Sequence, residues 1–252
     1  WRALDRWKLE PMARPALSRW QREWQTPVIA ESIFGDWLHS PDGGLALYPG
    51  WFAAVPQPWR ARGVAQSGFP VYEPGALAPL SDELLAFLDS HGAPVVVYPG
   101  SAGSSGRFLD LVLEACQRLD LPAVVLAPHL HAGLPQPALA YAHTIVVQQA
   151  TLSLLLPRCS AFVHHGGIGS VAQAFAHSTP QLILASAYDQ FENGARVAGL
   201  AAGQSFSLHR SSAGQICDGL RSVLGAARPR SLEYRESMDE FAIRKSCDWL
   251  ES

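Results

Sequence analysis

From residue 94 onward the sequence predicts a doubly wound α/β domain built on a parallel sheet. Three observations carry this. Short apolar runs recur at Pro94–Tyr98, Ala123–Leu126, Thr144–Val147, Ala161–Val163 and Gln181–Leu184. They are rich in β-branched residues and do not alternate with polar ones, as expected of strands covered on both faces. Helical patterns separate them, so strand and helix alternate, and right-handed crossovers follow. Two strand ends run into glycine-rich turns, where such sheets place ligands.

The first element of this region is a helix capped by Ser81, with Leu84, Leu85, Phe87 and Leu88 on its apolar face and Gly92 at its end. The strand at Pro94–Tyr98 follows. The glycine-rich loop Pro99–Gly106 then leads into a helix from about Arg107, with Phe108, Leu111, Val112, Ala115 and Leu119 facing inward. After the strands at Ala123 and Thr144, Ser153–Pro157 reads as a short helical turn. Beyond residue 200 the pattern predicts a strand at Ser205–Leu208, a helix over Ser211–Leu224, and a last helix over Leu232–Leu250.

The stretch with the most chemistry is Ala161-Phe162-Val163-His164-His165-Gly166-Gly167-Ile168-Gly169-Ser170. An apolar strand stops at two histidines, three glycines follow within four positions, and Val171, Ala174 and Phe175 then open a helix. Such a turn gathers free backbone N–H groups and the positive end of a helix, which suits a phosphate. Glycine lets the backbone approach the anion closely. His165 and Ser170 add hydrogen-bond donors. Two adjacent imidazoles at a strand end have little packing value, which favours anion binding over an ordinary strand-to-helix turn. Asp189-Gln190 then opens another helix, with Val197, Leu200 and Ala201 as its apolar positions. A carboxylate beside a carboxamide can grip sugar hydroxyls. Asp189 is equally suited to be the N-cap of that helix.

These segments together resemble a known signature. His165-Gly166-Gly167-Ile168-Gly169-Ser170, then Thr179-Pro180-Gln181, Asp189-Gln190, Asn193 and Ala195-Arg196-Val197 resemble the donor-binding motifs of GT-B glycosyltransferases of glycosyltransferase family 1. The likeness extends over nearly the whole chain and is to bacterial enzymes of the rhamnosyltransferase B-subunit type. It implies a Rossmann-like donor domain in which His165, Gly166, Gly167, Gly169 and Ser170 hold a diphosphate. Ser101, in the first glycine loop, is a further diphosphate candidate. Gln173 stands where the family has a ribose-binding Glu, and Gln149, with Ala150 and Thr151, where it has an aromatic that stacks on the base. Asp189 and Gln190 stand at the transferred sugar. His177-Ser178-Thr179 and Ala185 also depart from the family pattern. The implied activity is inverting hexosyl transfer from a UDP- or dTDP-sugar to a hydroxyl of a hydrophobic or lipid-like acceptor. A sugar-nucleotide 2-epimerase on the same fold is the less favoured alternative, because the His-His-Gly-Gly run with Asp189-Gln190 favours transfer.

The resemblance also divides the chain. Residues 76–252 correspond to the nucleotide-sugar donor domain. Residues 1–75 correspond to the end of an N-terminal acceptor-side domain plus linker, through Leu47–Phe52 and Ser67–Pro70. The proline-rich stretch Pro70–Pro79 reads as the linker. The family's catalytic histidine has no counterpart here, since His39 and His91 lie in other contexts. The expectation is therefore a donor-binding half that is inactive alone, or a natural subunit completed by a partner chain.

Composition bounds the rest. In 252 residues, 48% apolar against 16% charged content gives a globular chain with a sizeable core, and a net charge of −3 argues against a nucleic-acid partner. Cys116, Cys159, Cys217 and Cys247 lack metal-type spacing and read as mostly buried, reduced thiols of a cytoplasmic protein. No Asp-x-Asp pair is present, and His129 and His131 are isolated from other ligands, so neither a metal nor a cofactor is expected. Seven of eight tryptophans fall in the first 59 residues. They read as core of an aromatic-rich unit or as a face that another domain covers. With Arg2, Arg6, Arg14, Arg19 and Arg22, a peripheral contact at the inner membrane face is the alternative. No run is long enough to span a membrane.

Overall fold

The structure is a computed structural model that describes residues 5–27, 32–33, 40–71, 78–100, 105–127, 141–226 and 240–251. Two parallel sheets organise the chain. The small one pairs β1 (Gly44–Ala46) with β2 (Val64–Gln66). The large one has six parallel strands in the order β5-β4-β3-β6-β7-β8. These are β3 (Val95–Tyr98), β4 (Ala123–Leu126), β5 (Thr144–Val147), β6 (Ala161–His164), β7 (Gln181–Ala185) and β8 (Gly203–Ser207). The chain starts in the middle, winds out to β5, returns to β6 beside β3 and winds out the other way. The order reverses between β3 and β6, so the crevice at their carboxyl ends is where a ligand belongs.

The helices, in chain order, are α1 (Glu10–Glu23), α2 (Gln57–Arg60), α3 (Asp82–His91), α4 (Ser105–Arg118), α5 (Leu152–Leu155), α6 (Ile168–Ala176), α7 (Gln190–Gly199), α8 (Ala213–Gly225) and α9 (Glu240–Glu251). Local chemistry sets their ends. Ser81 accepts a hydrogen bond from the Leu84 N–H at 3.3 Å, and Gly92 stops α3 at φ 76. Ser212 and Gln215 form a reciprocal capping box on α8. Adjacent residues of each strand face opposite layers. Val95, Val97, Val163, Leu182 and Leu184 pack against α4 and α8 through Phe108, Val112, Ile216 and Leu220. Val96, Val124 and Phe162 pack on the other side with Leu84, Leu88, Leu155 and Leu156. Both faces of the sheet are thus buried, which accounts for runs without polar alternation.

The N-terminal unit joins this core through aromatics. Phe52 and Phe69 pack with Phe175, Val171, Ile183 and Val197. Trp51 meets Phe175 edge-on at 4.9 Å. Arg196 of α7 donates to the Phe52 carbonyl at 3.2 Å and lies over its ring at 5.8 Å. Trp249 of α9 approaches Gly43 beside β1, so the last helix returns to the N-terminal unit.

Several expectations are corrected. α7 ends at Gly199: Leu200 is its C-cap and Ala201 is an exposed turn residue at φ 52, so neither continues the helix. β8 starts at Gly203 and stops at Ser207, two residues earlier at its start than the apolar pattern suggests. The described tryptophans divide: Trp51 packs with Phe52, Phe69 and Phe175, whereas Trp7, Trp20, Trp24 and Trp59 are exposed, Trp7 by 78%. Helix α1 has no buried residue. Three cysteines are buried, and burial pushes the Cys116 thiol up to about 12; Cys247 is exposed. Residues 72–77 of the linker, Ser101, His39, His129, His131 and residues 232–239 lie outside the described residues.

Two glycines give opposite mutational expectations. A Cβ at Gly203 would stand 2.1 Å from the Gln181 carbonyl oxygen, so β7 and β8 could not keep their spacing. Gly203→Ala is expected to cost about 1–3 kcal/mol in urea denaturation. A Cβ at Gly199 meets nothing within 4 Å. Gly199→Ala is expected to stabilise by about 0.5–1 kcal/mol, through helix propensity.

Candidate functional site at the sheet switch point

β6 delivers His164 and His165 to the switch point, and the two imidazoles do different work. His164 is fully buried. Its Nδ1 accepts the Gly166 N–H at 3.1 Å, so its Nε2 carries the proton and donates to Gln181 Oε1 at 3.1 Å. Burial lowers its pKa to about 3. His164 is therefore a neutral core residue that pins the turn, which overturns the expectation that a histidine pair has little packing value.

His165 faces the crevice and is partly exposed. Its ring lies between two backbones. A Cβ at Gly100, after β3, would come within 2.7 Å of Nδ1, and one at Gly167 within 2.5 Å of Nε2. Gly100 also has φ +85, a backbone state that favours glycine. Both glycines are thus required by the ring they enclose. The Tyr98 ring meets His165 edge-on at 5.8 Å. Burial lowers the pKa of His165, opposed by the Tyr98 backbone and the Asp189 carboxylate, so the ring is neutral at pH 7. Its Nδ1 is buried and has no well-formed hydrogen bond.

The turn then enters α6. Gly166 takes φ +93, and a Cβ there would strike Ile183 Cγ2 at 2.8 Å. Gly167 is the N-cap, and no side chain caps the helix. The space around Gly169 is open, with nothing within 4 Å of a built Cβ. Ser170 is buried in the first turn. One turn further along, Gln173 is 7% exposed and its Oε1 has no hydrogen-bond partner. A buried acceptor left unpaired is costly unless something donates to it.

α7 brings the second group. Asp189 occupies the N-cap position but its side chain makes no cap bond. Its Oδ2 instead accepts from Asn193 Nδ2 at 2.9 Å. Gln190 is committed on one side: its Oε1 accepts from the Ser186 N–H at 2.8 Å, the Ser186 hydroxyl at 3.1 Å and the Ala187 N–H at 3.2 Å. Its carboxamide thus offers a ligand donors rather than both donor and acceptor. Tyr188, at φ 53, stands 92% exposed beside Asp189.

The structure brings His165, Gly166, Gly167, Gly169, Ser170, Gln173, Asp189 and Gln190 to one rim of the sheet. Gln149 is exposed in the loop after edge strand β5, on the same rim and apart from this cluster. His91 ends α3 on the opposite rim, before β3, stacked on Phe87 at 4.3 Å. Gly100, Tyr98 and Gln181 have roles that sequence reading missed. Asn193 sits four residues after Asp189, a helical spacing that signals contact.

Comparison with known proteins agrees with this fold, which is that of GT-B glycosyltransferases. The glycotransferase of kitacinnamycin superposes with a TM-score of 0.75 at 16% identity, over 99% of this chain and 64% of that one. VinC, solved in complex with DTDP, superposes with a TM-score of 0.60 at 21% identity, over 83% and 51%. Residues 112–242 match the erythromycin biosynthesis protein CIII-like C-terminal domain, and the chain belongs to that family. The TDP-daunosamine transferase DnrS of Streptomyces peucetius is 40% identical over 95 residues, 34% of this chain and 22% of that protein. The vancomycin aglycone glucosyltransferase of Amycolatopsis orientalis is 30% identical over 125 residues, 50% and 30% respectively. The chain thus matches less than a third of the length of these two relatives.

The state of His164 is directly measurable. The unfolded imidazole titrates near 6.5 and the folded one near 3, so the unfolded chain binds the extra proton between them. Its contribution to stability is full above pH 6.5 and declines as pH falls toward 3. Nitrogen NMR at pH 5 is expected to show His164 neutral with the proton on Nε2. Denaturant unfolding is expected to show less stability at pH 5 than at pH 7. A charged His164 at pH 5 would contradict the pinning bond.

Proposed function

We propose that this chain is the donor-binding half of a nucleotide-diphospho-sugar-dependent glycosyltransferase, with residues 76–252 as the donor domain and 1–75 as the edge of an acceptor-side domain. The observation that carries this is the join of two features at the switch point: His165, clamped between Gly100 and Gly167 beside the uncapped start of α6, and Asp189-Gln190 on the neighbouring helix. The first suits a diphosphate. The second suits sugar hydroxyls. The unpaired Gln173 Oε1 offers an acceptor for ribose hydroxyls. The family membership and the TDP-sugar transferase among its relatives support a UDP- or dTDP-sugar. Ser101 and Gln149 complete the proposed diphosphate and base contacts, and the rhamnosyltransferase B-subunit type is the proposed subgroup.

In the proposed reaction, an acceptor hydroxyl attacks the anomeric carbon from the face opposite the diphosphate, inverting it. The acceptor is a hydrophobic or lipid-like small molecule. The leaving diphosphate gains negative charge, which the α6 N-terminus and His165 stabilise without a metal. The proposed general base and most of the acceptor cleft lie outside this chain, because neither His39 nor His91 stands in the sequence context of the family's catalytic histidine. An acceptor aligned with the sugar and a base within reach supply much of the rate. Exposed Trp7, Trp20 and Trp24 on and beside α1 support a face that another domain, or a partner subunit, covers.

Two measurements test this. His165→Ala is expected to weaken nucleoside diphosphate binding by about 1–3 kcal/mol in calorimetry. Asp189→Ala should weaken the nucleotide sugar more than the bare diphosphate. Equal affinity for wild type and His165→Ala removes His165 from the site, and equal losses in Asp189→Ala remove Asp189 from the sugar. Separately, incubation of the chain with radiolabelled sugar nucleotides and hydrophobic hydroxylated acceptors is expected to yield no acceptor-dependent product. Turnover at ordinary enzymatic rates would show that the base and acceptor cleft lie within this chain.

A further inference from the structure

We propose that Asn193 is a positioning residue that locks the phosphate turn and the Asp189 carboxylate into one unit, so that the two ends of a nucleotide sugar are recognised together. This rests on the donor-site reading above. Asn193 is 6% exposed and lies in the first turn of α7. Its Nδ2 is 2.9 Å from the Gly166 carbonyl oxygen and 2.9 Å from Asp189 Oδ2. A carboxamide nitrogen carries two hydrogens, and the two contacts use both. The reverse orientation would set the amide oxygen against two acceptors, so the network itself fixes which atom is nitrogen.

Asn193 ties Gly166 through its carbonyl and Asp189 through its carboxylate. Gly166 is the residue at φ +93, and its N–H is already given to His164. Its carbonyl is the remaining backbone group through which the turn can be tied to α7. Asp189 lacks the usual N-cap bond, so its side chain is oriented by Asn193 rather than by its own helix. Asp189 Oδ1 has no partner among the described residues and is left for a ligand. The Asp189 carboxylate also acts on His165, raising its proton affinity against burial. A continuous chain of hydrogen bonds therefore runs from Gln181 through His164, Gly166 and Asn193 to Asp189. Loosening Asn193 releases the phosphate turn and the sugar carboxylate at the same time.

The test is a double-mutant cycle read by calorimetry. Wild type, Asn193→Ala, Asp189→Ala and the double variant are titrated with dTDP, dTDP-glucose, UDP and UDP-glucose. The informative quantity is the affinity for each nucleotide sugar relative to its bare diphosphate. Asn193→Ala is expected to lower this ratio about as much as Asp189→Ala does, roughly fivefold or more. In the Asp189→Ala background the further change should be under about twofold, because Asn193 acts on the sugar through Asp189. Bare diphosphate affinity should fall in Asn193→Ala through the freed Gly166 turn. A ratio that Asn193→Ala lowers equally in both backgrounds, or leaves unchanged, overturns the proposal while leaving the donor site standing.

Proton NMR of the Asn193 side-chain amide supplies a readout that does not require the Asn193 variant to fold. Both protons should be protected from exchange in wild type, and Asp189→Ala should release one of them. Two unprotected protons in wild type would overturn the proposal. Protected protons in a wild-type chain that binds none of the four ligands would overturn the donor-site reading, and the coupling with it.

Discussion

The hydrogen bond from the Gly166 N–H to His164 Nδ1 is the interaction on which the site depends. A tight turn at the end of a buried strand must place its backbone groups somewhere, because an unpaired buried N–H is costly. Here the preceding side chain takes the N–H directly, and it can do so only while neutral. Burial keeps it neutral, the Gly166 N–H fixes its tautomer, and Gln181 on the adjacent strand accepts from its Nε2. The turn direction, the positive φ of Gly166 and the start of α6 follow from that arrangement. His165 follows the last residue of β6, and the turn carries it to the crevice while His164 stays in the core.

Around this pin the glycines are spacers for particular neighbours. Gly100 and Gly167 make room for one imidazole, Gly166 for Ile183 and Gln190, and Gly194 for Ser205 across the α7–β8 contact. Gly169 stands apart, since the space before it is open. The signature is therefore a mixture of packing residues and of a few positions left free for a ligand. The groups at the rim are the α6 N-terminus, the His165 ring, the second oxygen of the Asp189 carboxylate and the nitrogen of the Gln190 amide.

The N-terminal unit relates to this site through α6 and α7 rather than through the sheet. Phe52, Phe69 and Trp51 rest on Phe175, and Arg196 fastens Phe52 to α7. The helices that carry the phosphate turn and Asp189 are therefore braced on their outer side by aromatics from residues 48–71. A two-stranded parallel sheet is a small element, since parallel strands ordinarily lie in larger sheets with both faces covered. Its attachment by aromatic packing keeps it in place without extending the main sheet.

Periodicity determined most of the described strands and helices from residue 81 onward, apart from the end of α7 and the start of β8. Buried parallel strands read as unbroken apolar runs, and caps such as Ser81 and Ser212 are local signals. The glycine turn and Asp189-Gln190 are legible for the same reason: each is a short motif at a strand end. The tertiary structure decided what local patterns cannot encode. His164 and His165 have identical side chains at adjacent positions, and only the end of β6 between them separates a core group from a site group. Asp189 looks equally like a cap in sequence, and only the position of Asn193 against Gly166 turns its carboxylate away from its own helix. Gly100 reads in sequence as one residue of a glycine-rich loop and Gly167 as part of the diphosphate turn, and packing of strands far apart in the chain makes both the walls of the His165 ring. Trp7, Trp20, Trp24 and Trp59 depart from a core reading because apolar character states a need for burial without naming the surface that meets it. Contacts between residues distant in sequence set these outcomes, and they exist only once β3 and β6 lie side by side.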